Sequence, residues 1–440
     1  MTGRWLKLYG SLAAVVLVAT NTDRALADSA KISVLYDFEV ANPITGASQL
    51  GSQPDTRPVL GSDHAVYGMT YTGGVNGNGV IYRFDLKSRR YTVLHTFSAL
   101  DAKGANEDGA NPGVALTRAP DNTFYGVASF GGPNGTGTIF EITALGKFTV
   151  LHSFSALDAS LHNEDGASPL RAVVIGVDGN LYGTTRLGGR YTCGPKATGC
   201  GVAWVTDRWG NFNVLHQFRR TEGHAASFIQ SRDGFFYGCA VWPFAAAGSG
   251  NLYRMAPSGN HFEILYRFTA VDGNGNNSDG ANCYEPLVET RPGIFYGAAY
   301  GGGANGNGTI FSYSLANPDF VETLHTFSAV NSSGENSDGA NPYARLTPGR
   351  DGALYSTASF GGANGNGVIY RLGCDGYFTV LHTFSAADPT TGSNADGVEP
   401  DFGVLLDEND NLIGMADYGG NGSVAGGVGN GTLYILRSHE

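Results

Sequence analysis

The stretch DGANPGVALTRAPDNTFYGVASFGGPNGTGTIFEITALGKFTVLHSF, residues 108–154, decides the fold, because its pattern returns along nearly the whole chain. Four short runs rich in β-branched and aromatic residues lie within it: GVALTR, TFYGVAS, GTIFEIT and FTVLHSF. The segments between them, PDN, GGPNGTG and ALGK, have the composition of turns. We therefore predict a repeat of four short strands, the first of which begins after Pro112.

The fourth strand of the repeat occurs seven times, as an aliphatic-Leu-(His/Tyr)-x-Phe motif. Its copies begin at Ser33, Thr92, Thr149, Asn213, Glu263, Glu322 and Thr379. After residue 27 the chain starts with an isolated fourth strand and ends just after a third strand, so the last unit lacks the strand that the first supplies. A closed ring resolves this and leaves no unpaired edge at the ends. We predict an all-β, seven-bladed β-propeller with four-stranded blades, a single domain over residues 28–440, whose N-terminal strand completes the last blade.

The N-terminus has the features of a secretory signal peptide over residues 1–27. Arg4 and Lys7 precede an apolar core at 12–19, which is too short to span a bilayer, and Ala-Leu-Ala follows at 25–27. The whole chain contains 66 Gly, 24 Phe and 22 Tyr, and the part after residue 27 has no convincing amphipathic helix or apolar membrane span. We expect a monomeric protein that is secreted or periplasmic.

Cysteine usage agrees with an oxidising compartment. Cys193 and Cys200 bracket a glycine-rich loop, and we predict that they form a disulfide. A second pairing, between Cys239 and Cys283, stays open at this point. Two cysteines separated by six residues without a nearby histidine are a weak zinc signal, so no metal site is expected there.

The second strand carries the signature aromatic-Gly-x-x-x-x-Gly-Gly, followed by Gly-Thr-Ile-Phe, as in Tyr125 to Phe140. Through this signature the repeat resembles the GloVer family of tandem repeats in exported bacterial proteins and, more distantly, the blades of Kelch propellers. The resemblance covers nearly all of residues 31–436. It implies a propeller and export but no catalytic residues, so function has to be sought where the chain departs from its own repeat.

Two repeated loop types are predicted to share one face of the ring, which we call the long-loop face. DGANP-like segments begin at Asp108, Asp165, Asp279, Asp338 and Asp396, and GGxNGxG-like loops begin at Gly73, Gly131, Gly302 and Gly361. We interpret both as structural turns, with Ca²⁺ bound by their Asp and Asn oxygens as the alternative. The motif histidine is replaced by Tyr36 and Tyr266, which favours a structural role for it as well.

The departures fall in the third to fifth units. The proline of DGANP forms a column of Pro54, Pro112, Pro169, Pro286, Pro342 and Pro400, which His224 interrupts in the fourth unit. In this alignment the fifth unit inserts Cys283-Tyr284-Glu285 before its proline. A second column, four residues after the second-strand aromatic, contains Tyr71, Ser129, Arg186, Val241, Tyr300, Ser359 and Asp417. We predict that Arg186, His224 and Tyr300 converge on the long-loop face.

The charge distribution indicates the same sector. The chain carries a net charge of -12, or -14 without the first 27 residues, which disfavours nucleic acids and anionic membranes. Residues 171–267 nevertheless carry +5, and the rest of that mature chain carries -19. We place five of these cations on the long-loop face: Arg186, Arg190, Lys196, Arg219 and Arg220. They predict a basic pocket for an anionic ligand, unless they are only a solvated fluctuation of charge.

These features together favour a lyase that cleaves an acidic polysaccharide by β-elimination. Arg186 and Arg190 would bind the uronate carboxylate, His224 would remove the proton, and Tyr300 or Tyr191 would protonate the leaving oxygen. Further predicted substrate-binding residues are Arg219, Arg220, Trp242, Tyr284 and Glu285. One alternative is a carbohydrate- or protein-binding scaffold without catalysis. Another is a glycoside hydrolase, for which Glu285, Asp401 and Asp417 are the candidate carboxylates. No cofactor is expected, apart from the Ca²⁺ alternative above.

Overall fold

The computed structural model describes residues 31–42, 44–193, 198–241, 248–421 and 430–437, which form seven antiparallel sheets. Every regular element in these ranges is a β-strand, and none of them contains a helix that could cross a membrane. The segment predicted to be a signal peptide lies outside the described residues. The sheets follow one another along the chain as the blades of a propeller, which confirms the predicted fold class.

The strands, grouped by blade, have the following bounds. Blades 1 and 2 contain β2 (Val59–Leu60), β3 (Ala65–Thr70), β4 (Val80–Asp85) and β5 (Arg90–Thr96), then β6 (Ala110–Pro112), β7 (Thr117–Arg118), β8 (Thr123–Phe130), β9 (Thr138–Thr143) and β10 (Phe148–Ser153). Blades 3 and 4 contain β11 (Val174–Ile175), β12 (Leu181–Thr184), β13 (Val202–Thr206) and β14 (Phe212–Gln217), then β15 (His224–Gln230), β16 (Phe236–Val241), β17 (Asn251–Met255) and β18 (Glu263–Arg267). Blades 5 and 6 contain β19 (Val288–Arg291), β20 (Ile294–Ala299), β21 (Thr309–Ser314) and β22 (Asn317–Thr326), then β23 (Thr347–Pro348), β24 (Leu354–Ala358), β25 (Val368–Leu372) and β26 (Phe378–Thr383). Blade 7 contains β27 (Val404–Leu406), β28 (Leu412–Ala416), β29 (Thr432–Arg437) and β1 (Lys31–Asp37).

The N-terminal strand closes the ring. β1 pairs antiparallel with β29, from Lys31 opposite Arg437 to Asp37 opposite Thr432, and thereby supplies the fourth strand of blade 7. This is the closure that the phase of the repeats predicts.

In every blade except the fourth, the first strand is shorter than the sequence predicts. In blade 2 the run GVALTR contributes only β7 to its own sheet, because the backbone of Val114 bonds to the neighbouring blades instead. Arg57 N donates to Val114 O at 2.7 Å, and Val114 N donates to Leu170 O at 3.1 Å. These bonds link the innermost segments of three blades to one another around the axis.

The second strands are almost wholly buried, and the hydrophobic core lies between neighbouring blades. Tyr67 of blade 1 stacks on Phe124 of blade 2 with 4.2 Å between ring centroids. The glycine of the second-strand signature makes room for an aromatic ring, since a Cβ added at Gly126 would lie 2.5 Å from the ring of Phe140. The signature is therefore a packing motif of the blade.

The aspartate of the DGANP segment joins one blade to the next. Asp108 accepts hydrogen bonds from His95 Nε2 at 2.9 Å and from Ser98 N, both at the end of the preceding blade. The same arrangement recurs in the pairs His152–Asp165, His325–Asp338 and His382–Asp396, with Tyr266–Asp279 as the tyrosine version. These carboxylates are occupied by hydrogen bonds within the chain, in agreement with the structural interpretation. Among the residues that the structure describes, no group of three or more His, Cys, Asp or Glu side chains is placed to hold a metal ion.

An asparagine holds the two repeated loop types together on one face. Asn106 Oδ1 accepts from Gly109 N at 2.9 Å and from Gly132 N at 2.8 Å, so it bridges the DGANP segment and the GGxNGxG loop of one blade. Asn336 does the same in blade 6. The long-loop face is thus a rigid rim, and the site lies inside it.

Candidate functional site

The register of blade 4 corrects the proline column. Ala225 pairs with Ala240 as Pro112 pairs with Ala128, so Ala225 occupies the proline position and His224 lies one residue earlier. The sequence alignment missed this because RRTEGH contains no DGANP from which to count.

The fifth unit needs a second correction. Asn282 has a φ of 61°, as Asn111 has 52° before Pro112, so Cys283 occupies the proline position and Pro286 does not. The fifth unit therefore contains no insertion, and Tyr284 and Glu285 fall into the regular register. One residue after the proline position come Asp55, Leu170, Tyr284, Tyr343 and Asp401, and two residues after it come Arg171 and Glu285.

A cavity of about 680 Å³ opens inside the long-loop rim. It is lined by the three residues that were predicted to converge, Arg186, His224 and Tyr300. Further side chains that carry chemistry in its lining are Arg171, Tyr284, Tyr343 and Asp401. The lining combines cations, phenols and a carboxyl group from blades 3 to 7, so it is suited to bind a polar ligand that carries negative charge.

Arg171 anchors the basic wall. Its side chain is 10% exposed and forms an ion pair with Glu285, which is 11% exposed. Arg171 Nη2 also donates to Tyr343 Oη at 3.1 Å, and the guanidinium lies over the rings of Tyr284 and Tyr343 at 5.7 and 5.6 Å from their centroids. Such contacts fix a guanidinium in one orientation. Arg171 therefore positions the two tyrosines and is itself held in place.

His224 and Arg186 lie side by side on this wall. His224 is only 6% exposed, and its Nδ1 donates to the backbone carbonyl of Arg186 at 3.3 Å, since a carbonyl oxygen can only accept. Burial lowers the pKa of His224, and the nearby charge of Arg186 lowers it further, although the hydrogen bond to Arg186 opposes this. The imidazole is therefore neutral at pH 7 with its lone pair on Nε2, while the Arg186 side chain is exposed to the cavity.

Three tyrosines form the wall next to it. The ring centroids of Tyr284, Tyr300 and Tyr343 lie 5.2 to 5.9 Å apart. Burial raises the pKa of Tyr300, and the charges of Asp401 and Glu399 raise it further. The Tyr300 hydroxyl therefore keeps its proton at neutral pH and can donate it.

A group of carboxyl groups faces the basic wall. Asp401 lines the cavity, and burial raises its pKa to about 7, with contributions from the charges of Glu399 and Asp55. Burial also raises the pKa values of Asp55 and Asp417, which share a hydrogen bond. Asp401 is therefore partly protonated near neutral pH, so it can both donate to and accept from ligand hydroxyls.

Several predicted ligand-binding residues do not line the cavity. Arg190 is exposed and pairs with Glu164, and Arg219 lies over the ring of the exposed Tyr191 at 5.2 Å. Arg220 is exposed on the surface next to Arg219. Glu285 is engaged by Arg171. Trp242 and Lys196 lie outside the described residues.

Both candidate disulfides are present. Cys193–Cys200 closes the glycine-rich loop of blade 3 with 4.9 Å between the Cα atoms, as predicted. Cys239–Cys283 joins β16 of blade 4 to the proline position of blade 5, with 5.7 Å between the Cα atoms. The second bridge therefore replaces a repeated proline at a blade junction beside the cavity.

Sequence reasoning missed the roles of Arg171, Tyr343 and Asp55. The signal was available, because an alignment of the units without gaps places Arg171 and Glu285, of opposite charge, in one column. The false insertion in the fifth unit separated them.

Comparison with solved structures finds other propeller-containing chains at low identity. An oligogalacturonate lyase in complex with manganese is 14% identical, with a TM-score of 0.52 and coverage of 93% of this chain and 97% of that chain. The extracellular domain of a one-component system from B. thetaiotaomicron is 10% identical, with a TM-score of 0.51 and coverage of 91% and 40%. At these identities the similarity shows the fold alone.

The comparison with curated proteins gave no match. The family model of the Gloeobacter/Verrucomicrobia repeat matches residues 25–194, 108–278 and 156–336, which together span residues 25–336. The chain therefore belongs to the Gloeobacter/Verrucomicrobia repeat family.

Proposed function

We propose that this protein is an exported lyase that cleaves an acidic polysaccharide by β-elimination in the central cavity. The observation that carries the proposal is that an exposed arginine, a neutral buried histidine and a protonated tyrosine line one cavity: Arg186, His224 and Tyr300. This combination supplies charge neutralisation, a base and an acid, which are the three requirements of the reaction.

Carboxylate neutralisation is the first requirement. Arg186 points its guanidinium into the cavity, where it can bind the carboxylate of a uronate ring and make the proton on C5 more acidic. Arg171 supports it as a positioning residue, because it holds Tyr284 and Tyr343 beside the same space. Arg190, which pairs with Glu164 on the surface, is not needed for this step.

Proton transfer completes the elimination. His224 Nε2 takes the C5 proton, the C4–O4 bond breaks with its electron pair on O4, and a C4=C5 double bond forms. Tyr300 gives its proton to O4, and the proton held by His224 then restores the phenol through solvent. Because Nε2 is shielded from solvent in this structure, its use as the base requires the wall around His224 to open when substrate binds.

The two alternatives receive less support from the geometry. A glycoside hydrolase needs two available carboxyl groups across the sugar, but Arg171 holds Glu285 and Asp417 is buried, which leaves Asp401 in the lining. A scaffold that binds saccharide without cleaving it would use the same cavity, and the assay below distinguishes it.

Export and an anionic partner belong to the same proposal. Two disulfides are typical of proteins that mature in an oxidising compartment, such as the periplasm or the cell exterior. The overall charge of -12 with a basic wall in the cavity favours a ligand that carries carboxylates at defined positions over a generally anionic surface such as nucleic acid. We propose that the protein acts as a monomer.

A single assay tests the proposed function. The purified protein is incubated with a panel of acidic and neutral polysaccharides, and the ultraviolet absorbance of unsaturated uronate is measured in parallel with reducing ends. The lyase predicts that both signals rise together with an acidic polymer. Reducing ends without absorbance would indicate a hydrolase, and retained binding without either signal would leave only the scaffold.

A further inference from the structure

Besides lining the cavity, Arg171 belongs to a group of four charged side chains in the inner segments of the blades. Arg57, Arg171, Glu285 and Arg345 each lie in the segment that precedes the first strand of its blade, in blades 1, 3, 5 and 6. Arg171 pairs directly with Glu285, and the charges of Arg345 and Glu285 both act on Arg57. Three guanidinium groups thus share one carboxylate, which leaves two positive charges in excess.

The hydrogen bonds of these guanidinium groups are also incomplete. Each guanidinium carries five N–H donors. Arg57 Nη2 donates to Thr347 Oγ1 at 3.1 Å and contacts Val404 O at 3.4 Å, but its buried Nε has no acceptor among the described residues. The half-buried Arg345 places a second positive charge next to Arg57. A buried cationic donor without an acceptor, as at Arg57 Nε, is costly unless an anion satisfies it.

We infer that a small inorganic anion, chloride or one of similar size, binds at the axis between Arg57, Arg171 and Arg345. The anion offsets part of the excess charge and accepts the N–H groups of Arg57 and Arg345. Bound there, it links segments from blades 1, 3 and 6 and so stabilises the closed ring.

The acidic groups of the cavity do not replace this anion. Asp55 is acted on by Arg171, but burial holds its carboxyl group partly protonated. Burial and the charge of Arg345 lower the pKa of Arg57 to about 9, against the opposing charge of Glu285. Burial likewise lowers the pKa of Arg345 despite Glu285. The single negative charge of Glu285 therefore does not balance the positive charges of Arg57 and Arg345.

Thermal unfolding at constant ionic strength tests the inference. Sodium chloride is exchanged stepwise for sodium isethionate, whose larger sulfonate should not fit the axis. For wild type the Tm is expected to rise with the logarithm of the chloride concentration above Kd, by about 3 °C at a hundredfold excess over Kd. A Tm that does not respond to chloride would overturn the inference.

The Arg345→Gln variant locates the effect. It should lose the dependence on chloride and, without chloride, unfold at or above the wild-type Tm, because one uncompensated charge is gone. Arg350→Gln is the matched control, since it removes an exposed arginine of the same blade and should keep the response to chloride. An unchanged chloride response in Arg345→Gln would contradict the proposed location.

A second measurement does not depend on the variant folding. Wild-type crystals soaked in bromide should show an anomalous peak between Arg57 and Arg345. A soak without a peak at the axis would refute the site. Neither experiment uses a saccharide, so the anion site and the proposed lyase can fail independently.

Discussion

The junction between blades 1 and 2 and the arc of blades 3 to 5 derive from the same repeat but use it differently. At the regular junction, His95 bonds to Asp108, and Asn106 bridges two loops. Pro112 ends β6, just before β7. In the arc, Cys283 replaces the proline and forms a disulfide, and the sequence around His224 contains no DGANP segment. Polar groups at repeated positions thus hold blades together, whereas several polar groups at the departures line the cavity. The following substitutions test this difference.

Removal of the proposed base should have the largest effect. We expect His224→Gln to reduce kcat by about 10²–10⁴-fold, because a glutamine cannot take the C5 proton. The measurement is the rate of increase in unsaturated-uronate absorbance with the polymer found active in the panel.

The repeated histidine His325 is the matched control for His224. It bonds to Asp338 at a blade junction, so His325→Gln should lower stability and leave kcat unchanged. Equal losses of activity in both variants would mean that His224 is another structural histidine.

Loss of the buried ion pair between Arg171 and Glu285 should cause the largest loss of stability. We expect Arg171→Gln to cost about 3–5 kcal/mol of unfolding free energy, because the buried Glu285 would lose the arginine that it contacts directly. Denaturant unfolding measures this cost. Arg190→Gln removes the exposed partner of Glu164, whose side chain is 71% exposed, and should leave the unfolding midpoint unchanged. A comparable loss in both variants would show that the burial of Arg171 adds nothing.

The two disulfides should contribute unequally. Cys239–Cys283 closes a separation of 44 residues and Cys193–Cys200 one of 7, so loop entropy predicts losses of about 4 and about 2.5 kcal/mol for the double alanine variants. Thermal unfolding under non-reducing conditions compares them. If removal of the short bridge cost more, the junction between blades 4 and 5 would not depend on its disulfide.

Substitution of Asp396, at a repeated blade junction, should have the smallest effect on stability, and that effect should depend on pH. Burial alone would raise the pKa of Asp396, but hydrogen bonds from His382 and Ser385 outweigh it and hold the pKa below its ordinary value of 3.8. The contribution of this carboxylate to stability is therefore present above pH 3.8 and lost as the pH falls through its lower folded-state pKa. Asp396→Asn should cost about 1–3 kcal/mol at pH 7, and this cost should shrink as the pH falls below 3.8 and through the folded-state pKa. A cost independent of pH would exclude the ionised pair.

The closed ring could be predicted from the sequence because the repeated motif and the phase of the two termini indicate the same fold. The motif around Tyr125 and Gly126 recurs at a fixed spacing, and the phase of the two termini requires closure. The packing agrees with this motif, because a side chain at position 126 would collide with the ring of Phe140.

The site could be predicted only in part. The repeated motif fixes the number and order of the blades, but it does not fix the register of the segments near the axis. Arg186 and Tyr300 follow second-strand aromatics at a constant distance, so their column was correct. Counting from Pro286 displaced Tyr284 and Glu285, and His224 was displaced by one residue because its segment contains no DGANP from which to count. The pairing of Arg171 with Glu285 across the axis depends on ring closure, which no local spacing reveals.

Binding to Arg186 tests the central claim most directly. Calorimetric titration of an acidic oligosaccharide and of its carboxyl-reduced, neutral counterpart compares wild type with Arg186→Gln and the surface control Arg190→Gln. We predict that wild type and Arg190→Gln bind the acidic ligand alike and the neutral ligand weakly, while Arg186→Gln loses about tenfold or more in affinity, as a charged hydrogen bond requires. Equal affinity for the acidic and neutral ligands, or unchanged affinity in Arg186→Gln, would contradict the claim that the departures from the repeat build a site for a carboxylate.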